Sequence, residues 1–348
     1  MPATSESPPA AGVPSVDEIR CKTSDSLGRV PCLWQCEVAR MILEGTRDVV
    51  CVSGTGSGKT LTFWMPLLFR PGGIQVIITP LNILGAQTKQ QLDSLGISAI
   101  AIRGETATQQ NIEDIISLRY RVVAVSPEVA LKPRGVFERV WRSQQFVAHL
   151  ISVELGEVYL LRNVLTSNIP YLLPSATLPE NVLHDVLDMA RVRKHDVHLI
   201  RRSNDRPNVY LTVRMIRYAL SSYKDLEFLA KEILRAREAR RKLRKFLVFF
   251  DNIEQSIQAC KTFRLWLGLD DRERVVWFNA DNTAHFREKV TAQFQSGELI
   301  GLFCTDAFGM GIDIPDIELI VQWRPTCDLN ALWQRFGRGA RDPGKEAH

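Results

Sequence analysis

At 348 residues the chain is long enough for two domains of ordinary size. Its composition, 45% hydrophobic and 24% charged, is typical of a globular protein, and no apolar run is long enough to cross a bilayer, so we expect no membrane partner. The net charge of +5 belongs to the second half: residues 1–200 hold 19 basic and 19 acidic side chains, whereas residues 201–348 hold 25 and 20.

The N-terminal segment "MPATSESPPAAGVPS" is rich in Pro, Ser and Ala and lacks the basic-then-apolar order of a secretory signal. We therefore predict a disordered tail over residues 1–27. The seven cysteines form no Cys-x-x-Cys pair, which favours reduced thiols in an intracellular protein.

Short β-branched runs alternate with helix-like stretches along the whole chain, a pattern that indicates α/β domains with mostly parallel sheets flanked by helices. A polar, proline-bearing break at 202–208 divides the pattern, so we predict one domain at 28–203 and a second at 204–348. The predicted strands are 48–53, 75–79, 98–102, 121–126, 149–153 and 171–177, then 209–216, 245–250, 274–279, 299–305 and 317–323.

The first predicted strand leads into "GTGSGKT" (54–60) and then into a helix-like stretch. A glycine-rich turn between a strand and a helix lets backbone N–H groups surround phosphate oxygens. Lys59 would reach the β- and γ-phosphates of ATP, and the Thr60 hydroxyl would be a ligand of Mg²⁺. The strict phosphate-loop pattern has glycine where this chain has Ser53. The predicted nucleotide ligands here are Gly54, Thr55, Gly56, Ser57, Gly58, Lys59 and Thr60.

Further segments follow the order used by superfamily 2 helicases, and their sequences resemble those of the RecQ-like DNA helicases, in particular fungal forms. They are "PCLWQ" (31–35), "TPLNILGAQ" (79–87), "SPE" (126–128) and "SAT" (175–177). The resemblance covers nearly the whole chain from about residue 28 and implies two RecA-like P-loop NTPase domains. It implies that Gln35 reads the adenine, that the next two segments contact nucleic acid, and that "SAT" couples hydrolysis to movement.

Two segments of the second half carry the sharper resemblance, "TDAFGMGIDIPDIELIVQW" (305–323) and "QRFGRGARD" (334–342). The first is similar to the helicase segment that faces nucleotide and strand, and the second to the arginine-finger motif. Arginine suits that role because its planar fork contacts two phosphate oxygens and stays charged. The residues implied are Gly311 and Asp313 near the nucleotide, and Arg338 and Arg341 as the catalytic arginines.

The acidic motif of the family is missing from "AHLISVELGEVYLLRN" (148–163). In relatives this strand ends in Asp-Glu-Ala-His, whose aspartate orients Mg²⁺ and whose glutamate activates water. We interpret the difference as a lost block between Val153 and Glu154, which also removes an aromatic-rich loop that senses single-stranded DNA. Glu154 and Glu157 are the candidate substitutes. The resemblance likewise predicts a truncation after "DPGKEAH" (342–348).

The favoured function is an ATP-dependent 3′–5′ DNA helicase core that binds ATP, Mg²⁺ and single-stranded or partly duplex DNA, with impaired hydrolysis. A non-catalytic ATP- and DNA-binding module is one alternative. An incomplete gene model is another, which the genomic DNA between the codons for Val153 and Glu154 would reveal. RNA is a weaker alternative substrate. The basic tract at 230–245, as a helix, would follow a phosphate backbone or direct nuclear import.

Overall fold

The chain divides into two units, Met1–Asn204 and Asp205–His348. A computed structural model describes residues 12–79, 89, 92–155, 169–189, 192, 197–308, 314–342 and 344–348. Each unit is an α/β domain with a parallel sheet, which confirms the predicted fold class. Among the described residues no helix combines the length and hydropathy needed to span a bilayer.

Among the described residues, the sheet of the first unit has seven strands in the order β3-β4-β2-β5-β6-β1-β7, and all its pairings are parallel. Along β1, Val50 and Val52 enter one hydrophobic core while Val49 and Cys51 enter the other. A continuous apolar run of this kind is expected where a strand is buried on both faces. The strands are β1 Asp48–Val52, β2 Ile74–Ile78, β3 Ala99–Ile102, β4 Val122–Val125, β5 Leu150–Leu155, β6 Tyr171–Ser175 and β7 Val197–Arg201.

Helices cover both faces of this sheet. The core that takes Val49 also holds buried side chains of α1, α2 and α3, and the other core holds those of α4, α6 and α8. The helices are α1 Val16–Leu27, α2 Leu33–Glu44, α3 Lys59–Trp64, α4 Gln109–Ile116, α5 Pro127–Ala130, α6 Glu138–Arg142, α7 Gln144–Ala148 and α8 Glu180–Met189, with a 3₁₀ turn at Met65–Leu68.

Helix α1 corrects the prediction of a disordered tail, which is wrong for Val16–Leu27. Ser15 and Glu18 form a reciprocal capping box at its start: the Ser15 amide donates to the Glu18 carboxylate over 2.7 Å, and the Glu18 amide donates to Ser15 Oγ over 3.2 Å. Ile19 and Leu27 are buried in the first unit. The cap and this burial outweigh the polar composition of the segment.

In the described part of the second unit, four strands form a parallel sheet in the order β11-β8-β10-β9. Its core is largely aromatic, and Phe246, Phe263 and Phe303 pack against one another with ring centroids 5.1–6.5 Å apart. The elements are α9 Glu227–Glu238, β8 Lys245–Phe249, α10 Ile253–Leu265, α11 Leu269–Arg272, β9 Val275–Phe278, α12 Ala284–Ser296, β10 Gly301–Cys304, β11 Ile317–Gln322 and α13 Leu329–Phe336, with 3₁₀ turns at Leu220–Ser222, Lys224–Leu226 and Asp306–Phe308.

The predicted strand at 209–216 is wrong. Only Val209 makes a bridge, a parallel one to Ala347, and the segment beyond it has no strand neighbour among the described residues. Val213 is 97% exposed and Met215 is 85% exposed. Alternating apolar residues satisfy the strand pattern, but a strand also needs a partner for its backbone.

The basic tract at 230–245 is only partly helical, because α9 ends at Glu238. Arg237 pairs with both carboxylate oxygens of Asp271, at 3.1 and 2.6 Å. Lys245 is buried at the start of β8 and pairs with Asp316 at 3.0 Å. Two of these charges therefore serve the fold of the second unit rather than forming part of a free basic helix.

Candidate nucleotide site

The predicted phosphate loop follows the carboxyl end of β1, where parallel strands commonly present their ligand-binding loops. The amide of Ser53 donates to the carbonyl of Ser175 over 3.0 Å, which ties the loop to the "SAT" segment after β6. Gly56 and Gly58 have φ angles of 76° and 78°. Both residues therefore use the left-handed conformation that glycine adopts without steric cost.

Gln35 braces this loop from helix α2. Its Nε2 donates to the carbonyls of Ser57 and Gly58 at 3.2 and 2.9 Å, and its Oε1 accepts from the Cys32 amide at 2.8 Å. A Cβ at position 58 would stand 2.7 Å from Gln35 Nε2, so this contact also requires glycine. The predicted adenine-reading role of Gln35 stays a prediction, to which the structure adds a bracing role.

Lys59 lies at the first position of α3, with its ammonium turned back over the loop. Its Nζ donates to the carbonyls of Ser53 and Gly54 at 2.5 and 2.8 Å. The charge therefore stands at the mouth of the loop, where a phosphate would be received. Thr60 follows on the same helix and is exposed.

Glu154 occupies the carboxyl end of β5, in register with Ile77 of β2 and Leu172 of β6. Burial raises the pKa of its carboxyl to about 7, and the positive charge of Lys59 opposes that rise. The charge of Lys59 therefore acts on this carboxyl. Glu154 thus stands at the strand end where the family has its aspartate.

The residues present fit a magnesium ion in donor type. Mg²⁺ prefers oxygen ligands and is usually held by one or two carboxylates together with substrate phosphates and water. Thr60 offers a hydroxyl and Glu154 a carboxyl, both at the carboxyl edge of the sheet. Within the described ranges no three acidic, histidine or cysteine side chains gather into a metal-binding group.

Several predicted site residues lie outside the described part of the chain. They include Gly311 and Asp313 of the "AFGMGID" segment, Glu157, and most of "TPLNILGAQ". Their predicted contacts with nucleotide and nucleic acid stay predictions.

The arginine motif of the second unit begins in α13, which is capped by Asp328 accepting from the Ala331 amide at 2.8 Å. Arg338 is 8% exposed, and Arg341 donates from Nε to the carbonyl of Gly337 over 3.3 Å. Both arginines follow the helix within five residues of its end. The backbone around them therefore sets where their guanidinium groups point.

Arg335, which the sequence analysis did not single out, is the most heavily bonded side chain near this motif. Its guanidinium is 4% exposed and pairs with Asp251, which follows β8, and with both carboxylate oxygens of Asp306, at 2.8 and 2.7 Å. It also donates to Gln322 Oε1 at 2.6 Å. Burial raises the pKa of Asp251, but hydrogen bonds from Thr326 and Arg335 outweigh this effect and bring it down to about 2. Arg335 thus fastens α13 to the strand ends.

Replacing Arg335 with methionine is expected to lower the unfolding free energy by about 3 kcal/mol, because two carboxylates lose a buried partner. Urea denaturation measures this change. A Lys261→Met control on the exposed side of α10 should leave stability within about 0.5 kcal/mol of the parent. Equal effects of the two substitutions would contradict the role assigned to Arg335.

A strand, a glycine loop and a lysine-bearing helix in one parallel-sheet domain, followed by a second parallel-sheet domain with an arginine motif, define a two-domain P-loop nucleotide-binding protein. Family comparisons agree with this class. The DEAD/DEAH box helicase family matches residues 33–186, and the helicase conserved C-terminal domain matches residues 224–342. The chain therefore belongs to the superfamily 2 helicases and carries the two RecA-like domains of a helicase core.

Individual relatives are distant. The chain is 24% identical to the putative ATP-dependent RNA helicase R290 of Acanthamoeba polyphaga mimivirus, over 89% of this chain and 56% of that protein. It is 25% identical to the ATP-dependent DNA helicase Q-like 2 of Arabidopsis thaliana, over 88% of this chain and 44% of that protein. The chain thus spans about half the length of these curated relatives.

Among solved structures, the DUF1998 helicase MrfA bound to DNA and AMPPNP is similar in fold. The TM-score is 0.72 at 16% identity, over 98% of this chain and 50% of that one. At this identity the likeness shows the fold alone.

Proposed function

We propose that this chain is a RecQ-like, ATP-dependent 3′–5′ DNA helicase core that binds ATP and single-stranded DNA and hydrolyses ATP slowly. The observation that carries the proposal is the formed phosphate loop, with Lys59 at its mouth and its charge acting on the Glu154 carboxyl. Backbone amides of the loop and the Lys59 ammonium bind the phosphates, and Gln35 holds the loop from helix α2.

Slow hydrolysis follows from the carboxyl end of β5. The described part of this strand ends in Glu154 and Leu155, so one carboxyl stands where relatives have two. Bound magnesium would supply charge neutralisation for the phosphates. Glu154 would hold that ion or orient the attacking water, but one side chain would not perform both tasks well. In this proposal Arg338 and Arg341 keep their predicted role as the catalytic arginines.

The sequence of the "AFGMGID" segment favours DNA over RNA as the substrate, and so do relatives named as DNA helicases. One similar relative is named as an RNA helicase, so the two nucleic acids are compared directly in the test.

The test is steady-state ATP hydrolysis by the full chain, alone, with single-stranded DNA, and with RNA of the same length. We expect slow turnover that DNA increases more than RNA does. Turnover that RNA stimulates equally would overturn the DNA assignment. Full helicase-like rates would overturn slow hydrolysis.

Binding of single-stranded DNA is expected to weaken with salt, because phosphate contacts release counterions. A log–log plot of affinity against salt should fall with a slope of about −0.7 per phosphate contacted. Fluorescence anisotropy across a salt series measures it. An affinity that does not change with salt would contradict binding through phosphates.

A second candidate is a non-catalytic ATP- and DNA-binding module. The raised pKa of Glu154, about 7, favours it, because a protonated carboxyl at neutral pH neither activates water nor neutralises a metal charge. Nucleotide binding without turnover at pH 7 and at pH 8.5 would select this candidate. Turnover that rises with pH would select the enzyme.

A further inference from the structure

Ala340, between the two predicted catalytic arginines, holds an unusual backbone conformation. Its φ is 45°, in the left-handed region that costs a non-glycine residue about 1 kcal/mol, and its side chain is only 1% exposed. A strained residue persists only where its surroundings fix it. The groups around Ala340 must therefore hold it in this conformation.

Hydrogen bonds hold both sides of this residue. The Ala340 amide donates to the carbonyl of Ile317 in β11 over 2.9 Å. The Ala340 carbonyl accepts from Arg206 Nη2 at 2.8 Å and from Asn208 Nδ2 at 3.0 Å. Three partners on one peptide segment outweigh the local strain.

Arg206 and Asn208 also donate hydrogen bonds to carbonyls on both sides of Ala340. Arg206 Nη2 also donates to the carbonyl of Gly339 at 2.8 Å, and Asn208 Nδ2 donates to the carbonyl of Lys345 at 3.1 Å. The two side chains are joined by a 3.2 Å hydrogen bond from Arg206 Nε to Asn208 Oδ1. Together they form a brace along the turn that carries the motif.

Charge also links this brace to the motif. Burial lowers the pKa of Arg206, and the nearby positive charge of Arg341 lowers it further. The positive charges of the two guanidinium groups therefore repel each other. Carbonyl oxygens of the turn accept from Arg206, so its guanidinium is held in place beside the motif.

We propose that Arg206 and Asn208 are positioning residues for the arginine motif: they hold Ala340 in its left-handed conformation and thereby set the directions of Arg338 and Arg341. The inference rests on the proposed ATP hydrolysis. Arg206 lies two residues after Asn204, the last residue of the first unit. The segment that begins the second unit is therefore hydrogen-bonded directly to the motif.

Catalysis is sensitive to such positioning, since a shift of about 1 Å in a reacting group costs up to 100-fold in rate. The substitutions that test the brace are Asn208→Ala, which removes its amide donor, and Arg206→Lys, which keeps the charge but loses the fork. Arg202→Ala is the matched control, because Arg202 lies in the same junction with an exposed side chain.

In the full chain with saturating single-stranded DNA, Asn208→Ala and Arg206→Lys are each expected to lower kcat for ATP about 10-fold. KM for ATP should stay within about two-fold, because neither residue belongs to the phosphate loop. Arg202→Ala should match the parent in both constants. An unchanged kcat in both brace variants, or a loss carried by KM, would overturn the inference.

Amide hydrogen exchange provides a readout that does not require hydrolysis. In both brace variants, exchange should quicken in peptides covering 337–345 and stay unchanged in β8 and β10. Faster exchange throughout the second unit would show a merely structural role and overturn the inference. If the parent does not hydrolyse ATP, the proposed activity fails, and the exchange pattern alone decides: a selective change supports the brace, and no change overturns it.

Discussion

Lys59→Ala is expected to abolish ATP hydrolysis and to weaken ATP binding by about 100-fold, because the ammonium is the charged group at the mouth of the phosphate loop. Anisotropy of a fluorescent ATP analogue measures the affinity, and phosphate release measures the turnover. The fold should persist, since the loop backbone keeps its bonds to Gln35 and Ser175.

Lys132→Ala is the matched control for this experiment. Lys132 lies in the same unit with an exposed side chain, so its loss should change neither affinity nor turnover. If Lys59→Ala bound the analogue as tightly as the parent does, the assignment of the phosphate loop would fail, and the proposed function with it.

Glu154→Gln is expected to reduce any ATP turnover by about 100-fold and yet to leave ATP affinity within about three-fold of the parent. The amide keeps the size of the side chain but supplies no negative charge. Turnover in the parent and in Glu154→Gln, each measured with magnesium at pH 8, tests this. Equal turnover in the two proteins would show that Glu154 takes no part in hydrolysis.

Glu154→Gln is also expected to change the folding stability of the chain in the absence of nucleotide and magnesium. The carboxyl has a pKa of about 7 in the folded chain against an ordinary value of 4.5. Between these pH values the folded chain retains a proton that the unfolded chain has released, so stability falls as pH rises from 4.5 to 7, and the full penalty is present above pH 7. Glu154→Gln removes the charge, so it should be more stable than the parent at pH 8 by about 2–3 kcal/mol.

Urea denaturation at pH 8 and at pH 4.5 measures this difference, which should vanish at the lower pH. The control is Glu105→Gln, whose side chain is exposed, and it should follow the parent at both pH values. Were Glu154→Gln less stable than the parent at pH 8, Glu154 would be charged and well paired in the folded chain, contrary to its burial.

Sequence patterns predicted most of both sheets because buried parallel strands appear as short runs rich in β-branched residues, as in β1 and β2. Strand β7, Val197–Arg201, was missed. Among the described strands it pairs with β1 alone, its residues are half-buried or exposed, and its sequence mixes polar and apolar side chains. The false strand at 209–216 shows the converse error. Its pattern is strand-like, but only contacts distant in sequence determine whether a partner strand is present.

The candidate site was likewise predictable only in part from the sequence. The phosphate loop was recognisable because its chemistry is local, with glycines, lysine and threonine at fixed spacing. The brace of Arg206 and Asn208 joins residues more than 130 positions from Ala340, so no local pattern marks it. Ser15 and Glu18 could have been found, because the capping box is itself a local signal.

The last residues of the chain have a practical consequence for purification. His348 donates its amide to the Glu318 carbonyl at 3.0 Å and accepts from the Ile320 amide at 2.7 Å, so the terminus is hydrogen-bonded along β11. An affinity tag fused directly after His348 would start inside this hydrogen-bonded edge, three residues beyond the Lys345 carbonyl that Asn208 holds. A tag placed ahead of α1 leaves those bonds intact and is the better choice for the hydrolysis, binding, denaturation and hydrogen-exchange assays.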